Sequence, residues 1–438
     1  NDFQITNEFW EKIQIMTQEF LDEGQLVTFP GYEWSGNTGL GGDRNVLFFC
    51  EGETIRRSSH ALVSDLTDVD NDCNSSDALF KSLKGTKTVV FAHVGGRYAD
   101  IQSHEGNLER SVEIHSAWGT FEWLLQDALR NGYRVGIVSN SDGHKGRPGA
   151  SYPGASMFGA YGGLTCMLAR KLTREMIWES LLRRHHYGTT GNRMFMDVRV
   201  QLDKPGRSFI EDPQLGETDA ESIQVGIMGD IIQTEECKVQ LLIDIIASAP
   251  IEKLEIRNGL KVIETVRPYK KTEIGNRIRV IWAGAEYRGR GRETVWDGCA
   301  TLTGNTIETF TPINMYNLEK TVTQLDSRHL EWKAVTTGGF GGFDCGLTDH
   351  QEGSLAIETS QVNCVVPVAD IGFQDFRIDA GGLERHLRLV RLPDTNPHHK
   401  LSLERTIPLN SSGDNPLYVC VSQEDGHQAW SSPIYLFN

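Results

Sequence analysis

The spacing of apolar residues changes repeatedly along the first half of the chain. Phe9, Ile13, Met16 and Phe20 recur at helical intervals, so we predict an amphipathic helix over residues 7–23. Helical spacing returns in residues 121–132 and 174–185. Short apolar runs between these stretches predict strands, at residues 26–30, 45–50, 88–93, 111–116, 133–140 and 164–169. Strands that alternate with helices are typical of a parallel α/β sheet or barrel.

The pattern changes after about residue 197. Apolar runs there are short, rich in β-branched residues and separated by Gly, Pro, Asn and Asp. They predict strands at residues 196–202, 222–228, 238–246, 253–258, 277–284, 306–313, 386–392 and 416–423. We therefore predict an α/β domain over residues 1–197 and a β-rich region of one or two sandwiches over residues 198–438.

Composition excludes several classes of protein. The 438-residue chain carries a net charge of −16, so its overall field repels polyanions and gives no footing for non-specific nucleic-acid binding. It contains no apolar stretch near the ~20 residues that a membrane span needs, so we expect no membrane partner. Its eight cysteines are scattered without a Cys-x-x-Cys pair, which argues against a thiolate zinc site and a dense disulfide scaffold.

Five side chains with nitrogen or oxygen donors follow, or end, the predicted strands of the first half. They are Glu33, His93, His115, Asp142 and His144. Because the carboxyl ends of parallel strands meet at one edge, we expect these groups to lie close together. Imidazoles and carboxylates without thiolates suit divalent Zn, Mn or Fe. Each residue taken singly has an alternative role as a hydrogen-bonding partner, and Asp142 could simply start a turn.

Four cations fall in the same predicted loops. Arg44, Arg97, Lys145 and Arg147 could hold a phosphate or carboxylate, since a guanidinium grips such groups through two parallel hydrogen bonds. Their alternative role is to pair with neighbouring carboxylates. On so acidic a chain, their concentration beside a metal site predicts a small anionic substrate. We accordingly expect Arg97 to assist catalysis together with the strand-end residues Asp142 and His144.

Five motifs in the first half carry a resemblance to a known family. The stretches FPGYEWSG, FAHVGG, VEIHSAWG, SNSDGHKGRPGAS and YGTTG resemble the polymerase-and-histidinol-phosphatase (PHP) superfamily of metal-dependent phosphoesterases. The resemblance covers roughly residues 1–195, and Ser-Asp-Gly-His at residues 141–144 is its most specific part. It implies a distorted (β/α)7 barrel with two or three metal ions at its mouth, followed here by the β-sandwich region.

The resemblance also implies a role for each candidate ligand. Glu33 resembles the bridging carboxylate, and His93 and His115 resemble the other ligands of one ion. Asp142 resembles a ligand of the neighbouring ion, and His144 a ligand of the third.

The chain departs from the family pattern at its start. The family opens with a strand carrying His-x-His, and this sequence contains no such element. We therefore expect the amino-terminal strands and part of the ligand set to be absent, so that this chain binds one ion or none and is catalytically incomplete. An exposed sheet edge would then favour association with another chain, such as a homo-oligomer.

Three functions from different classes follow. The first is a metal-dependent hydrolase, a phosphoesterase in which metal-bound hydroxide attacks a small anionic substrate. The second is a catalytically incomplete barrel that serves with the β-sandwich as a glycan- or protein-binding module. The third keeps the metal but cleaves an amide, a lactone or a sulfate ester. The RGRGR stretch at residues 288–292 is interpreted as a hairpin tip rather than a nucleic-acid tract.

Overall fold

The computed structural model describes residues 1–144 and 161–438. The described residues form four α-helices: α1 (Asn7–Glu19), α2 (Ser76–Leu83), α3 (Glu122–Arg130) and α4 (Arg174–Leu182). The hydroxyl of Thr6 accepts a hydrogen bond from the Phe9 N–H and starts α1, and Thr173 does the same for α4. None of the helices in these residues is long and apolar enough to cross a membrane.

The first half is built on one six-stranded sheet. Its strands are β1 (Gly31–Ser35), β2 (Asp43–Phe48), β3 (Thr88–Ala92), β4 (Ser111–Ser116), β5 (Gly119–Thr120) and β6 (Gly136–Ser139). β1, β2 and β3 pair antiparallel in that order, whereas β3, β4 and β6 are parallel neighbours. The carboxyl ends of β3, β4 and β6 therefore lie at one edge of the sheet.

The predicted (β/α)7 barrel is wrong. About 43% of the residues lie in strands and 13% in helices, and the sheets formed by residues 1–144 and 161–438 are not closed barrels. Only residues 36–42 join β1 to β2, which is too short for the crossover of a dozen or more residues that a parallel pair needs. β1 and β2 therefore form an antiparallel hairpin, and the sheet is mixed rather than parallel.

Two local predictions in the first half are also wrong. Residues 26–30 are not a strand, and β1 begins at Gly31 just beyond them. The helix α1 ends at Glu19 and leaves Phe9, Met16 and Phe20 more than half exposed. Trp10 is the buried residue of α1, packed edge-on against Tyr32 of β1. Of the four residues of the predicted apolar face, Ile13 packs partly against the core, and Trp10 rather than the other three supplies the buried contact.

A twelve-stranded sheet forms the largest layer of the molecule. It includes β7 (Leu164–Met167), β8 (His186–Thr189), β9 (Phe195–Phe209), β10 (Ala220–Ile227), β11 (Ile231–Gln233), β12 (Lys238–Ile246), β13 (Ile251–Asn258) and β14 (Lys261–Val266). Four strands near the end of the chain complete this sheet, as given below. β7 and β8, which belong to the predicted first domain, are thus hydrogen-bonded into the sheet of the second half. The predicted boundary at residues 197–198 falls inside β9.

A separate β-rich unit is inserted between β14 and the last four strands. Its strands are β15 (Arg277–Ala285), β16 (Thr294–Val295), β17 (Gly298–Thr303), β18 (Ile307–Ile313), β19 (Val322–Gln324), β20 (His329–Trp332), β21 (Val335–Thr336), β22 (Phe340–Leu347), β23 (Ser354–Thr359), β24 (Asn363–Pro367), β25 (Phe376–Gly381) and β26 (Leu383–Leu392). Two five-stranded sheets share one core, in which Trp282 and Trp332 stack with ring centroids 5.0 Å apart.

The chain then returns to the large sheet through β27 (Lys400–Pro408), β28 (Asn415–Gln423), β29 (Gln428–Ser431) and β30 (Ile434–Phe437). β29 pairs with β8, so the end of the chain is bonded to the last strands of the first half. Tyr418, Cys420 and Trp430 also enter the core beneath α3. These contacts hold the sheet that carries β3, β4 and β6 against the β-rich part.

Candidate functional site

His93 is held from behind by a buried carboxylate. It follows β3 directly, is almost fully buried, and its Nδ1 lies 2.7 Å from Glu113 Oε1. Glu113 lies on the neighbouring strand β4, and its other oxygen accepts a hydrogen bond from the Asn140 side chain. The ring of His93 is therefore fixed, and its Nε2 is directed away from Glu113. A carboxylate bonded to the far nitrogen is the usual support of a metal-ligating histidine.

Three further carboxylates surround the free side of His93. Its Nε2 lies 3.9 Å from Glu33 Oε1 and 3.8 Å from Asp142 Oδ2. Asp43 belongs to the same group, because a Cβ at Gly95 would lie 2.4 Å from Asp43 Oδ2 and 2.6 Å from Glu33 Oε1. We call Glu33, Asp43, His93 and Asp142 the His93 cluster. The absence of a side chain at Gly95 lets its carboxylates approach one another.

Burial and the concentrated negative charge shift the pKa values of the acids and of the histidine in the cluster. Burial raises the pKa of Asp43 to about 6, and the charge of Glu33 adds to that effect. Burial also raises the pKa of Asp142. Burial alone would lower the pKa of His93, but the Glu113 carboxylate, with Asp142 and Glu33, raises it to about 9. The His93 cluster thus favours added positive charge, as a proton on His93 or as a bound cation.

The Asp142–His144 turn has an unusual backbone. Asp142 and His144 have φ values of 39° and 47°, in the left-handed region that non-glycine residues adopt rarely. His144 Nε2 lies 2.8 Å from Asp142 Oδ1, and half of the His144 side chain is exposed. Held strain of this kind is found at functional sites, where the surrounding structure imposes it. The turn places the Asp142 side chain beside His93 and the His144 side chain at the protein surface next to the cluster.

His115 does not join the His93 cluster. Its Nδ1 lies 2.9 Å from the Thr120 hydroxyl and its Nε2 lies 2.8 Å from the Tyr161 carbonyl oxygen. Burial lowers the pKa of His115 to about 4, so the ring is neutral near pH 7. Both nitrogens are occupied by hydrogen bonds within the fold. Its predicted role as a metal ligand stays a prediction that this placement does not favour.

Two of the four predicted substrate-binding cations are used by the fold itself. Arg44 is fully buried, paired with Glu109 and bonded to several backbone carbonyl groups. Arg97 donates to the carbonyl oxygens of Ser35 and Gly36 and lies over the Phe3 ring. The guanidinium of Arg97 also reaches the His93 cluster, because its Nε lies 3.5 Å from Asp43 Oδ1. Lys145 and Arg147 lie outside the described residues.

Sequence reasoning missed a second cation that reaches the cluster. Arg290 lies between β15 and β16, in the stretch interpreted as a hairpin tip, and its Nη1 lies 3.1 Å from Asp142 Oδ2. Asp43 was considered only as a partner for cations. The turn Gly41–Gly42 could have indicated Asp43, because a hairpin there sets Asp43 opposite Ser35, two residues from Glu33. No local signal indicates Arg290, whose position depends on packing across 148 residues.

The donor set suits a divalent ion, although the described conformation is not a formed metal centre. Within residues 1–144 and 161–438, no group of three or more His, Cys, Asp or Glu side chains is already arranged to hold one. Ligands of one zinc ion, at bonds of 2.0–2.2 Å, can be at most about 4.3 Å apart. The separations of 3.8 and 3.9 Å from His93 Nε2 meet that limit.

Comparison with known proteins adds little about this site. A family described as "Protein of unknown function (DUF3604)" matches residues 150–256. An uncharacterised protein of Chlamydia pneumoniae is 23% identical over 221 residues, covering 46% of this chain and 34% of the relative. The matched region thus spans about a third of that relative's length. No solved structure matches. The family match begins after His144 and therefore includes no residue of the His93 cluster.

Proposed function

We propose that this chain is a metal-dependent hydrolase that binds a divalent ion in the His93 cluster and acts on a small anionic ester, of which a phosphoester is the first choice. The observation that carries the proposal is the placement of His93. One ring nitrogen is fixed by Glu113, while the other faces Glu33 and Asp142 at 3.9 and 3.8 Å. A hydrogen-bonding histidine of the core would not need two further carboxylates at this distance.

Each residue of the cluster receives a specific role in this proposal. Glu33, His93 and Asp142 hold the ion, and Asp43 adds negative charge beside them. An ion there would act as a Lewis acid and lower the pKa of a coordinated water, so that hydrolysis proceeds near neutral pH. Glu113 keeps the His93 ring in orientation through Nδ1. Since His93 is protonated without the ion, ion binding should release a proton from its Nε2.

His144 is the group best placed to exchange protons with the substrate. Its side chain is half exposed and is bonded to Asp142 Oδ1. A half-exposed histidine beside the cluster can donate a proton to a leaving oxygen. In this proposal Asp142 orients His144 through one oxygen and faces His93 with the other.

Titration with Mn²⁺ or Zn²⁺, followed by calorimetry, tests the site directly. We expect Glu33→Gln, His93→Gln and Asp142→Asn each to weaken binding about tenfold or more, because each removes a donor or a charge. His185→Gln is the matched control, since His185 pairs with Asp230 at 2.8 Å away from the cluster. Equal ion affinity in the wild type and all three cluster variants would contradict the proposal. A pure glycan- or protein-binding module predicts that equality.

A substrate panel then tests the type of bond. Aryl phosphate, sulfate ester, lactone and amide substrates are compared with and without the bound ion. We expect the aryl phosphate to be cleaved fastest and His144→Gln to lower kcat more than it raises KM. Ion-dependent cleavage of another substrate alone would retain the metal site and replace the phosphoesterase assignment.

A further inference from the structure

The loop between β15 and β16 brings a cation from the inserted unit to the His93 cluster. Arg288 anchors the loop, because it pairs with Asp127 of α3 at 2.7 Å and lies over the Trp123 ring. Gly289 and Gly291 adopt φ values of 113° and 65°, which a residue with a side chain rarely allows. The two glycines let the chain turn sharply on either side of Arg290.

Arg290 contacts the same oxygen that faces His93. Its Nη1 lies 3.1 Å from Asp142 Oδ2, and that oxygen lies 3.8 Å from His93 Nε2. The guanidinium also lies 4.4 Å from the centre of the Trp118 ring and 3.4 Å from His144 Nε2. The aromatic face gives the guanidinium a second place to rest at the rim of the pocket.

A divalent ion and Arg290 cannot both use Asp142 Oδ2 in this way. An ion bonded to that oxygen would bring two positive charges within a few ångströms of the guanidinium, and because Arg290 and Asp142 are mostly buried, solvent screens the repulsion only in part. In the described conformation Arg290 supplies the positive charge that lies beside Asp142 Oδ2. We propose that Arg290 and a divalent cation compete for Asp142, so that ion binding releases Arg290 to hold the anionic group of the substrate.

This inference rests on the proposed function and specifies its substrate side. Once displaced, Arg290 keeps the Trp118 face and stays within reach of an anion beside the ion. Its planar fork matches the oxygens of a phosphoryl or sulfuryl group. Arg44 is paired with Glu109, and Arg97 is paired with Asp43 and bonded to backbone carbonyl groups, whereas Arg290 contacts Asp142, so the anion-binding role is assigned to Arg290. In this proposal the RGRGR stretch at residues 288–292 contributes Arg290 to the binding of a small anion.

The first test is the ion affinity of a variant without the competing charge. We expect Arg290→Gln to bind Mn²⁺ about fivefold more tightly than the wild type, since the ion no longer has to displace a guanidinium. Arg288→Gln removes the same charge from the same loop without touching Asp142, and should leave the affinity within about twofold. Arg290→Lys, which keeps the charge and loses the fork, should fall between the wild type and Arg290→Gln.

The second test measures anion binding with sulfate, which keeps Mn²⁺ in solution. The wild type should bind sulfate about tenfold more tightly in the presence of Mn²⁺ than in its absence, and Arg290→Gln should lose most of this gain. Thermal unfolding confirms that each variant is folded.

Two results separate the two proposals. If Asp142→Asn weakens Mn²⁺ binding while Arg290→Gln leaves it unchanged or weaker, competition is overturned and the metal site stands. If neither substitution changes Mn²⁺ binding, the metal site and the competition both fail.

Discussion

At the scale of single residues, Glu113 determines how His93 can behave. It is fully buried, bonds His93 Nδ1 and raises the pKa of that histidine against the opposing effect of burial. We expect Glu113→Gln to weaken Mn²⁺ or Zn²⁺ binding about 10- to 100-fold, the usual effect of removing an outer-shell carboxylate. Glu51→Gln is the control, because Glu51 pairs with Arg174 away from the cluster. An affinity equal to that of the control variant would contradict the role given to Glu113.

Gly95 provides a second test that changes no charge. A Cβ there would lie 2.4 Å from Asp43 Oδ2, 2.6 Å from Glu33 Oε1 and 3.0 Å from His93 Cδ2, so these groups must move apart. We expect Gly95→Ala to cost about 1–3 kcal/mol of unfolding free energy and to weaken ion binding. Gly39→Ala is the matched control, since its Cβ would meet nothing within 4 Å. Ion titration and denaturant unfolding of both variants provide the comparison.

Part of this site could be predicted residue by residue. His93 and Asp142 follow parallel strands that are neighbours of β4, so reasoning from strand ends placed them near each other. His115 also lies on β4, but its ring bonds Thr120 and Tyr161 instead. The direction of a side chain at the end of a strand depends on the loops around it. Strand position alone does not determine that direction.

At the scale of elements, His186 joins β8 to the first sheet. Its Nδ1–H donates to the Ile137 carbonyl of β6 at 2.9 Å, and its Nε2 lies 3.1 Å from the Ser111 hydroxyl of β4. Burial lowers the pKa of His186 from 6.5 to about 3. Between pH 6.5 and pH 3, His186 is therefore protonated in the unfolded chain but neutral in the folded chain. The contribution of neutral His186 to the unfolding free energy is complete above pH 6.5 and is lost as the pH falls towards 3.

Replacing His186 should reduce this loss of stability at acid pH. The difference in unfolding free energy between the wild type and His186→Asn should shrink by up to about 1.4 kcal/mol per pH unit from pH 6.5 down to pH 4. Denaturant unfolding at several pH values measures it. His329→Asn, which changes an exposed histidine of the inserted unit, is the comparison variant. A constant difference for His186→Asn across this range would contradict the assignment.

Individual elements were more predictable than their pairing. Most predicted strands and the helix starting after Thr173 are present, because caps and apolar spacing are local properties. The pairing of the strands was not predictable in the same way, and the predicted parallel barrel was wrong. Alternation of strands and helices does not show that residues 36–42 form a hairpin, nor that β8 pairs with β29 from the end of the chain. Contacts between distant segments decided the topology.

At the scale of the whole molecule, a buried ion network joins the inserted unit to the large sheet. Glu252 on β13 accepts bonds at 2.6 Å from Arg279 of β15 and from Arg388 of β26. Burial alone would raise the pKa of Glu252, but the charges of these arginines hold it well below its usual range. The network was not visible in the sequence, since its members are separated by up to 136 residues.

Breaking this network should destabilise the chain strongly. We expect Glu252→Gln to lower the unfolding free energy by about 3 kcal/mol, because Arg267, Arg279 and Arg388 lose a shared buried counter-ion and keep only Asp344 or Asp375. Glu264→Gln breaks a half-exposed pair with Arg405 and should cost less than about 1 kcal/mol. Denaturant midpoints of the two variants give the comparison. Similar losses in both would contradict the structural role assigned to Glu252.

The central claim is that the His93 cluster holds a divalent ion. Anomalous diffraction from crystals soaked in Mn²⁺, compared with data from ion-free crystals, tests it most directly. We predict an anomalous peak within bonding distance of His93 Nε2, Glu33 Oε1 and Asp142 Oδ2, with Arg290 moved away from Asp142. An ion bound elsewhere, or a cluster without a peak in which Arg290 still bonds Asp142, would contradict the account.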